Sequence, residues 1–181
     1  KMYQNKDTVI NISHLNTQLE QLGYAPSQMN VQVDRLSGVW NEKYQLDDLS
    51  GVFLHSDHTT QVEELQVHAL DQELKGEFQL LHPNRNSLYG GEWEKIQLPY
   101  LHMQMKANPQ QLSSNVPNLN LSYPLPSFEF SIALRGFLER LEVLDFLLVD
   151  TSSLKFETKG TVKNLLLDPE VCLKGKYRIN P

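Results

Sequence analysis

Alternation of apolar and polar residues dominates this chain. Over 128–136, Phe128, Phe130, Ile132 and Leu134 share one phase and Gly136 follows in it, while Glu129, Ser131, Ala133 and Arg135 take the other. A period of two sends successive side chains to opposite faces of a strand. Val171, Leu173, Gly175, Tyr177 and Ile179 alternate in the same way with Cys172, Lys174, Lys176 and Arg178. Between these lies Leu154, Phe156, Thr158, Gly160 and Val162, set against Lys155, Glu157, Lys159, Thr161 and Lys163. The first half carries the pattern with more noise, through Val9–Ile12, Val31 with Val33, Tyr44 with Leu46, Val52 with Leu54, Leu65 with Val67, and Leu74, Gly76, Phe78 and Leu80. Leu98, Leu101, Met103 and Met105 suggest another strand, out of phase near Pro99.

Short polar clusters at 41–42, 56–57, 71–72, 150–152 and 167–169 separate these runs. Strands at such spacing, about ten to twelve of them, predict antiparallel meanders, because no interval is long enough for the crossover helix of a parallel unit. Leu15, Leu19 and Leu22 recur at helical spacing ahead of Gly23, which predicts one short helix near 15–22. Pro109, Pro117, Pro124 and Pro126 punctuate a stretch rich in Gln, Ser and Asn. Proline cannot donate to a ladder, so a sheet segment over 1–106, a loop or linker over 107–126 and a second sheet segment over 127–181 are expected. Loose repetition accompanies the strands. Leu36-Ser37-Gly38 recurs as Leu49-Ser50-Gly51, and Leu74-Lys75-Gly76-Glu77-Phe78 resembles Leu173-Lys174-Gly175-Lys176-Tyr177. An all-β chain with one greasy face must hide it in a sandwich, in a closed barrel, or in a curled sheet that holds an apolar ligand.

Composition narrows the function. The net charge of −6, with no local run of Lys or Arg, argues against a duplex nucleic-acid partner, whose binding rests on phosphate neutralisation. Cys172 stands alone, so no internal disulfide or cysteine zinc site forms. No run of about 18 apolar residues is present, and both ends read as cut from something longer, with any targeting or anchoring segment lying beyond them. His55-Ser56-Asp57-His58 has metal-ligand residue types but reads as a polar hairpin tip, so no metal and no cofactor are expected. The carboxylate pairs Asp47-Asp48 and Glu63-Glu64 are adjacent on strands and point apart, unlike an acid–base pair facing one pocket. With no Gly-x-Ser-x-Gly elbow or phosphate loop, an enzyme is not expected. Trp40, Tyr89, Trp93 and Tyr100 offer the material of a sugar-stacking platform, which makes a carbohydrate-binding or adhesin-like β-sandwich the alternative reading.

The order of motifs carries a resemblance. Val33-Asp34-Arg35-Leu36-Ser37-Gly38 is followed by Tyr44-Gln45-Leu46-Asp47-Asp48-Leu49-Ser50-Gly51-Val52-Phe53, then by Val62-Glu63-Glu64-Leu65-Gln66-Val67 and Glu73-Leu74-Lys75-Gly76-Glu77-Phe78. Ile132-Ala133-Leu134-Arg135-Gly136, Leu154–Val162 and Asp168-Pro169 continue the series. It resembles the TamB branch of the AsmA-like proteins, in the divergent form found in Bacteroides-type bacteria, although the Pro-rich stretch at 107–126 interrupts the repeat. The resemblance implies an elongated antiparallel sheet curled into an open, β-taco-like groove with an apolar interior. It also implies a periplasmic segment of an inner-membrane-anchored envelope protein, with phospholipid as cargo and a TamA-like outer-membrane barrel of the BamA type as partner. The groove lining expected on that basis is Phe78, Leu80, Phe128, Phe130, Ile132, Leu134, Leu154, Phe156, Val162, Val171, Leu173 and Tyr177.

Overall fold

The structure, a computed structural model, describes residues 12–25, 27–40, 44–84, 87–88, 92–110, 126–151, 154–164 and 169–179. Ten strands form one antiparallel sheet: β1 (Ile12–Ala25), β2 (Gln28–Trp40), β3 (Tyr44–Ser56), β4 (Thr59–Ala69), β5 (Gln72–Leu81), β6 (Gln97–Ala107), β7 (Phe128–Phe137), β8 (Arg140–Asp150), β9 (Leu154–Lys163) and β10 (Glu170–Ile179). Their spatial order is their chain order, and β1 and β10 are the two edges, so the sheet is not closed. Among the described residues the only helical element with assigned bounds is a single 3-10 turn at Trp93–Lys95. Among the described residues no helix is long and apolar enough to cross a membrane.

The helix expected near 15–22 is absent, because β1 occupies that stretch. The reason lies in the register. Leu19 pairs with Val33 and Leu22 with Val31, so three residues of β1 span two of β2. A β-bulge sets two residues opposite one, and so turns a three-residue apolar spacing into two positions on one face. The same device recurs at Val33/Leu36, Leu46/Leu49, Val62/Leu65, Leu98/Leu101 and Val143/Phe146, each beside a register shift. The phase slip near Pro99 is one of these bulges, a position where proline costs no ladder bond.

With the bulges in place, apolar residues line up across the sheet. One row runs Leu22, Val31, Phe53, Val62, Phe78, Leu101, Leu134, Val143. The two leucines of the repeated Leu-Ser-Gly motif, Leu36 and Leu49, face each other across β2 and β3. The Pro-rich stretch does not end the sheet, since β6 and β7, on either side of it, are hydrogen-bonded neighbours. Residues 111–125 of that stretch lie outside the described part.

The sealed core is small. The buried apolar residues among those described are Val33, Val62, Ile96, Leu98, Ala107, Leu141 and Val143, and of these only Ile96 and Leu141 are fully buried. Most other apolar side chains are half-buried, and those on the two edge strands are exposed.

Candidate functional site

The twelve expected lining residues all fall on one face. Cross-strand partners share a face, as do residues two apart on a strand. Phe130 pairs with Leu148 and Leu148 with Phe156, which pairs with Tyr177. Val162 pairs with Val171, and Gly160 with Leu173. Phe78 joins them through Leu101 and Leu134. Phe128 and Ile132 are in phase with Phe130, Leu80 with Phe78, and Leu154 with Phe156. Nine of the twelve are half-buried, while Val171, Leu173 and Tyr177 on β10 are exposed.

Four phenylalanines form the centre of this face. Phe130 lies 6.5 Å from Phe128 and 6.3 Å from Phe146, both stacked, and Phe146 meets Phe156 edge-on at 6.3 Å. These spacings lie in the favourable range for aromatic pairs. Phe146, Leu148, Val143, Leu101, Met103 and Met105 belong to the same surface by register. Alternation alone misplaces Phe146 and Leu148, which lie beyond the β8 bulge. The three-residue step from Val143 is the signal that finds them.

Glycines interrupt the face at places where neighbours close in. A Cβ on Gly76 would stand 2.7 Å from the His102 carbonyl oxygen and 3.1 Å from Met103 Cγ. A Cβ on Gly160 would run into the carbonyl of Cys172. Thr158, the polar exception in the β9 row, is buried and donates its hydroxyl to the Lys174 carbonyl at 2.9 Å, which ties β9 to β10.

The opposite face is polar and laced with ion pairs. Lys75 meets Glu73 at 2.7 Å, Lys106 meets Glu129 at 3.1 Å, Arg135 meets Glu142 at 2.8 Å and Lys155 meets Glu157 at 2.5 Å. The hydrogen bond from Lys75 holds the Glu73 carboxyl below the usual carboxylate range, and that from Lys155 does the same for Glu157. Glu129 raises the Lys106 ammonium above its ordinary value. A shallow cleft of about 380 Å³ opens on this polar side, between the Glu73–Lys75 and Ser131–Leu147 positions.

The histidine-bearing tip is held together locally. His55 Nδ1 lies 2.9 Å from Thr60 Oγ1, which lies 3.3 Å from Nε2 of the buried His82. His82 Nδ1 is 3.1 Å from the Asn84 carbonyl and donates to it, leaving Nε2 to accept from Thr60 if the ring is neutral. The Ser56 hydroxyl accepts from the backbone N–H of Thr59, as a tight hairpin turn requires. Among the described residues, no group of three or more His, Cys, Asp or Glu side chains is placed to hold a metal.

Of the four aromatics of the sugar-platform reading, Tyr89 and the Trp40 side chain lie outside the described part. Trp93 sits on the 3-10 turn. The Tyr100 hydroxyl, on the polar face, accepts from Gln61 at 3.2 Å, and burial pushes its pKa up. No protein-family model, curated protein or solved structure matches this chain.

Proposed function

We propose that this chain is a segment of a TamB/AsmA-like envelope protein, in which the apolar face curls into a groove that shelters phospholipid acyl chains. One observation carries the reading. Each of the ten strands contributes apolar residues to one common face in cross-strand register, and most of those side chains are half-buried, not sealed as in a closed core. Burial supplies the physics. Each CH₂ removed from water is worth roughly 0.8 kcal/mol, so a continuous apolar track retains an acyl chain without a specific polar contact. Glycines at 76, 160 and 175 and the six bulges suit a strongly bent sheet, because both relieve crowding on the inner side. On this reading the chain works in the periplasm, without catalysis, and its parent protein supplies the inner-membrane anchor and meets an outer-membrane BamA-type barrel.

Lipid extraction and native mass spectrometry of the purified chain test the proposal, together with Ile132→Asp and Phe156→Asp. A carboxylate on an acyl track is not solvated by hydrocarbon, so both variants should lose co-purified lipid. Because the face stays accessible to water, both should keep their β-sheet circular dichroism. Unfolding of both variants would point to a sealed core. Wild-type protein free of lipid would remove the proposed cargo.

A further inference from the structure

The polar face holds a second cleft, away from both edges of the sheet. Its volume is about 780 Å³, and it lies over β6–β9, each of which has a neighbouring strand on both sides. The charges on its walls are Arg135, Arg140 and Lys159 against Glu142 alone, an excess of two positive charges in a chain whose net charge is −6. The register gathers them. Glu142 stands between Arg135 on β7 and Thr161 on β9, while Arg140 and Lys159 each lie two residues from that row. With strands about 4.8 Å apart and a rise of about 3.3 Å per residue, these long side chains reach a common point.

The one carboxylate is already engaged. Glu142 Oε2 accepts from Arg135 Nε at 2.8 Å. That contact occupies one N–H and steadies the guanidinium, and the terminal N–H groups of its fork remain to face a ligand. Elsewhere on this face the cations are matched, Lys75 by Glu73, Lys106 by Glu129 and Lys155 by Glu157. Among the described residues no carboxylate is in ion-pair contact with Arg140 or Lys159, and Asp145, on the same face of β8, makes no such contact either. Arg140 is set opposite Lys163, a like-charge pairing that weakens a sheet, and Lys163 pairs instead with Glu170 at 3.8 Å. The half-buried Thr161 adds a hydroxyl to the wall.

We propose that this cleft binds a phosphate monoester. Such a group carries about −1.5 to −2 charge at pH 7, which matches the excess of two. A carboxylate or a phosphodiester, with a single charge, would leave one cation uncompensated. The fork of Arg135 suits two phosphoryl oxygens, Thr161 donates to a third, and Arg140 and Lys159 supply the balancing charge. Pro99 and Leu144, both half-buried, give the carbon side of the ester an apolar wall. The same chemistry is presented by a small soluble ester and by a lipid headgroup of the phosphatidic acid type. The cleft lies on the face opposite the proposed acyl track, so the inference holds whatever that track carries.

Isothermal titration calorimetry of the purified chain tests it, with glycerol 3-phosphate as monoester and dimethyl phosphate as diester. The monoester should bind saturably and more weakly as NaCl rises from about 0.05 to 0.5 M. The diester should bind at least about tenfold more weakly, a difference of about 1.4 kcal/mol. Arg140→Gln/Lys159→Gln should weaken the monoester by a similar factor and keep its circular dichroism, because both side chains are exposed and make no ion pair among the described residues. Arg135→Lys is a second probe, which keeps the charge and removes the fork, and should weaken binding at least about threefold. Phosphatidylcholine vesicles doped with phosphatidic acid or with phosphatidylglycerol separate the two sources. A preference for phosphatidic acid that the double variant loses assigns a headgroup, and binding of glycerol 3-phosphate without that preference assigns a soluble ester; either upholds the proposal. Equal affinity for monoester and diester, undiminished binding to the folded double variant or to Arg135→Lys, or no binding of either glycerol 3-phosphate or phosphatidic acid vesicles would each overturn it.

Discussion

Gly160 shows how a single residue sets the spacing of two strands. It lies in the apolar phase of β9, opposite Leu173, where the neighbouring backbone comes so close that a methyl group has no room. The obstructing atoms are the Cys172 carbonyl and Leu173 Cα, which belong to the main chain and cannot swing aside. Gly160→Ala should therefore push β10 from β9 and lower stability by about 1–3 kcal/mol, the usual cost of overpacking. Gly23→Ala is the matched control, because its nearest neighbour, Asn30 Cβ, would lie at an ordinary 3.7 Å. Urea unfolding of the two variants should show a loss for the first and little change for the second. Equal losses would mean that the glycines matter through chain flexibility and not through close approach.

The strand is the unit at which the apolar pattern is repaired. In six strands a bulge absorbs the odd residue, and the turns between strands must then deliver each one in the correct phase. The β4–β5 turn does so at a cost. Leu70 and Asp71 are its two central residues, with φ of 52° and 59°. Positive φ at both positions matches the right-handed twist of a hairpin, but Asn-Gly is the pair that adopts it readily. Replacing Leu70 by Asn and Asp71 by Gly should raise stability by about 1 kcal/mol, the order of the penalty that an ordinary side chain suffers there. A rise in the thermal midpoint checks this. A fall would show that the half-buried Leu70 side chain contributes more by packing than its backbone loses. The β1 helix expectation fails at this same scale, since Leu15, Leu19 and Leu22 have helical spacing only if no bulge intervenes.

Across the whole molecule, stability rests on many local contacts spread along a meander, with a sealed core of only a few side chains. Exposed ion pairs are distributed in the same way. Glu73, Glu92 and Glu157 titrate below the usual carboxylate range, through Lys75, through Ser87 with Lys95, and through Lys155 respectively. A carboxyl whose folded pKa is depressed stabilises the fold above its unfolded pKa and loses that contribution as pH falls through the folded value. The thermal midpoint should thus hold steady from about pH 8 to 6 and fall below about pH 4.5. The fall should shrink in high salt, because the groups are exposed and screened. A midpoint that rises on acidification would show that relief of net negative charge outweighs these pairs.

Local alternation was enough to establish an all-β chain, its antiparallel meander, and the phase of β7, β9 and β10, where no extra residue disturbs the period. Those strands hold ten of the twelve residues expected to line the apolar face, and the other two, Phe78 and Leu80, lie on β5. The sequence also placed the His55–His58 turn at a hairpin tip. Tertiary structure alone decided the register. A step of three apolar residues is equally compatible with a helix and with a bulged strand, and only the partner strand, offering two residues against three, resolves it. Pairing likewise brought Phe146 into the aromatic row and showed that the Pro-rich stretch joins two neighbours in one sheet. It also set Lys174 against Lys159, a juxtaposition between residues fifteen positions apart that no local pattern contains, because cross-strand distance is settled by hydrogen bonding and not by spacing along the chain.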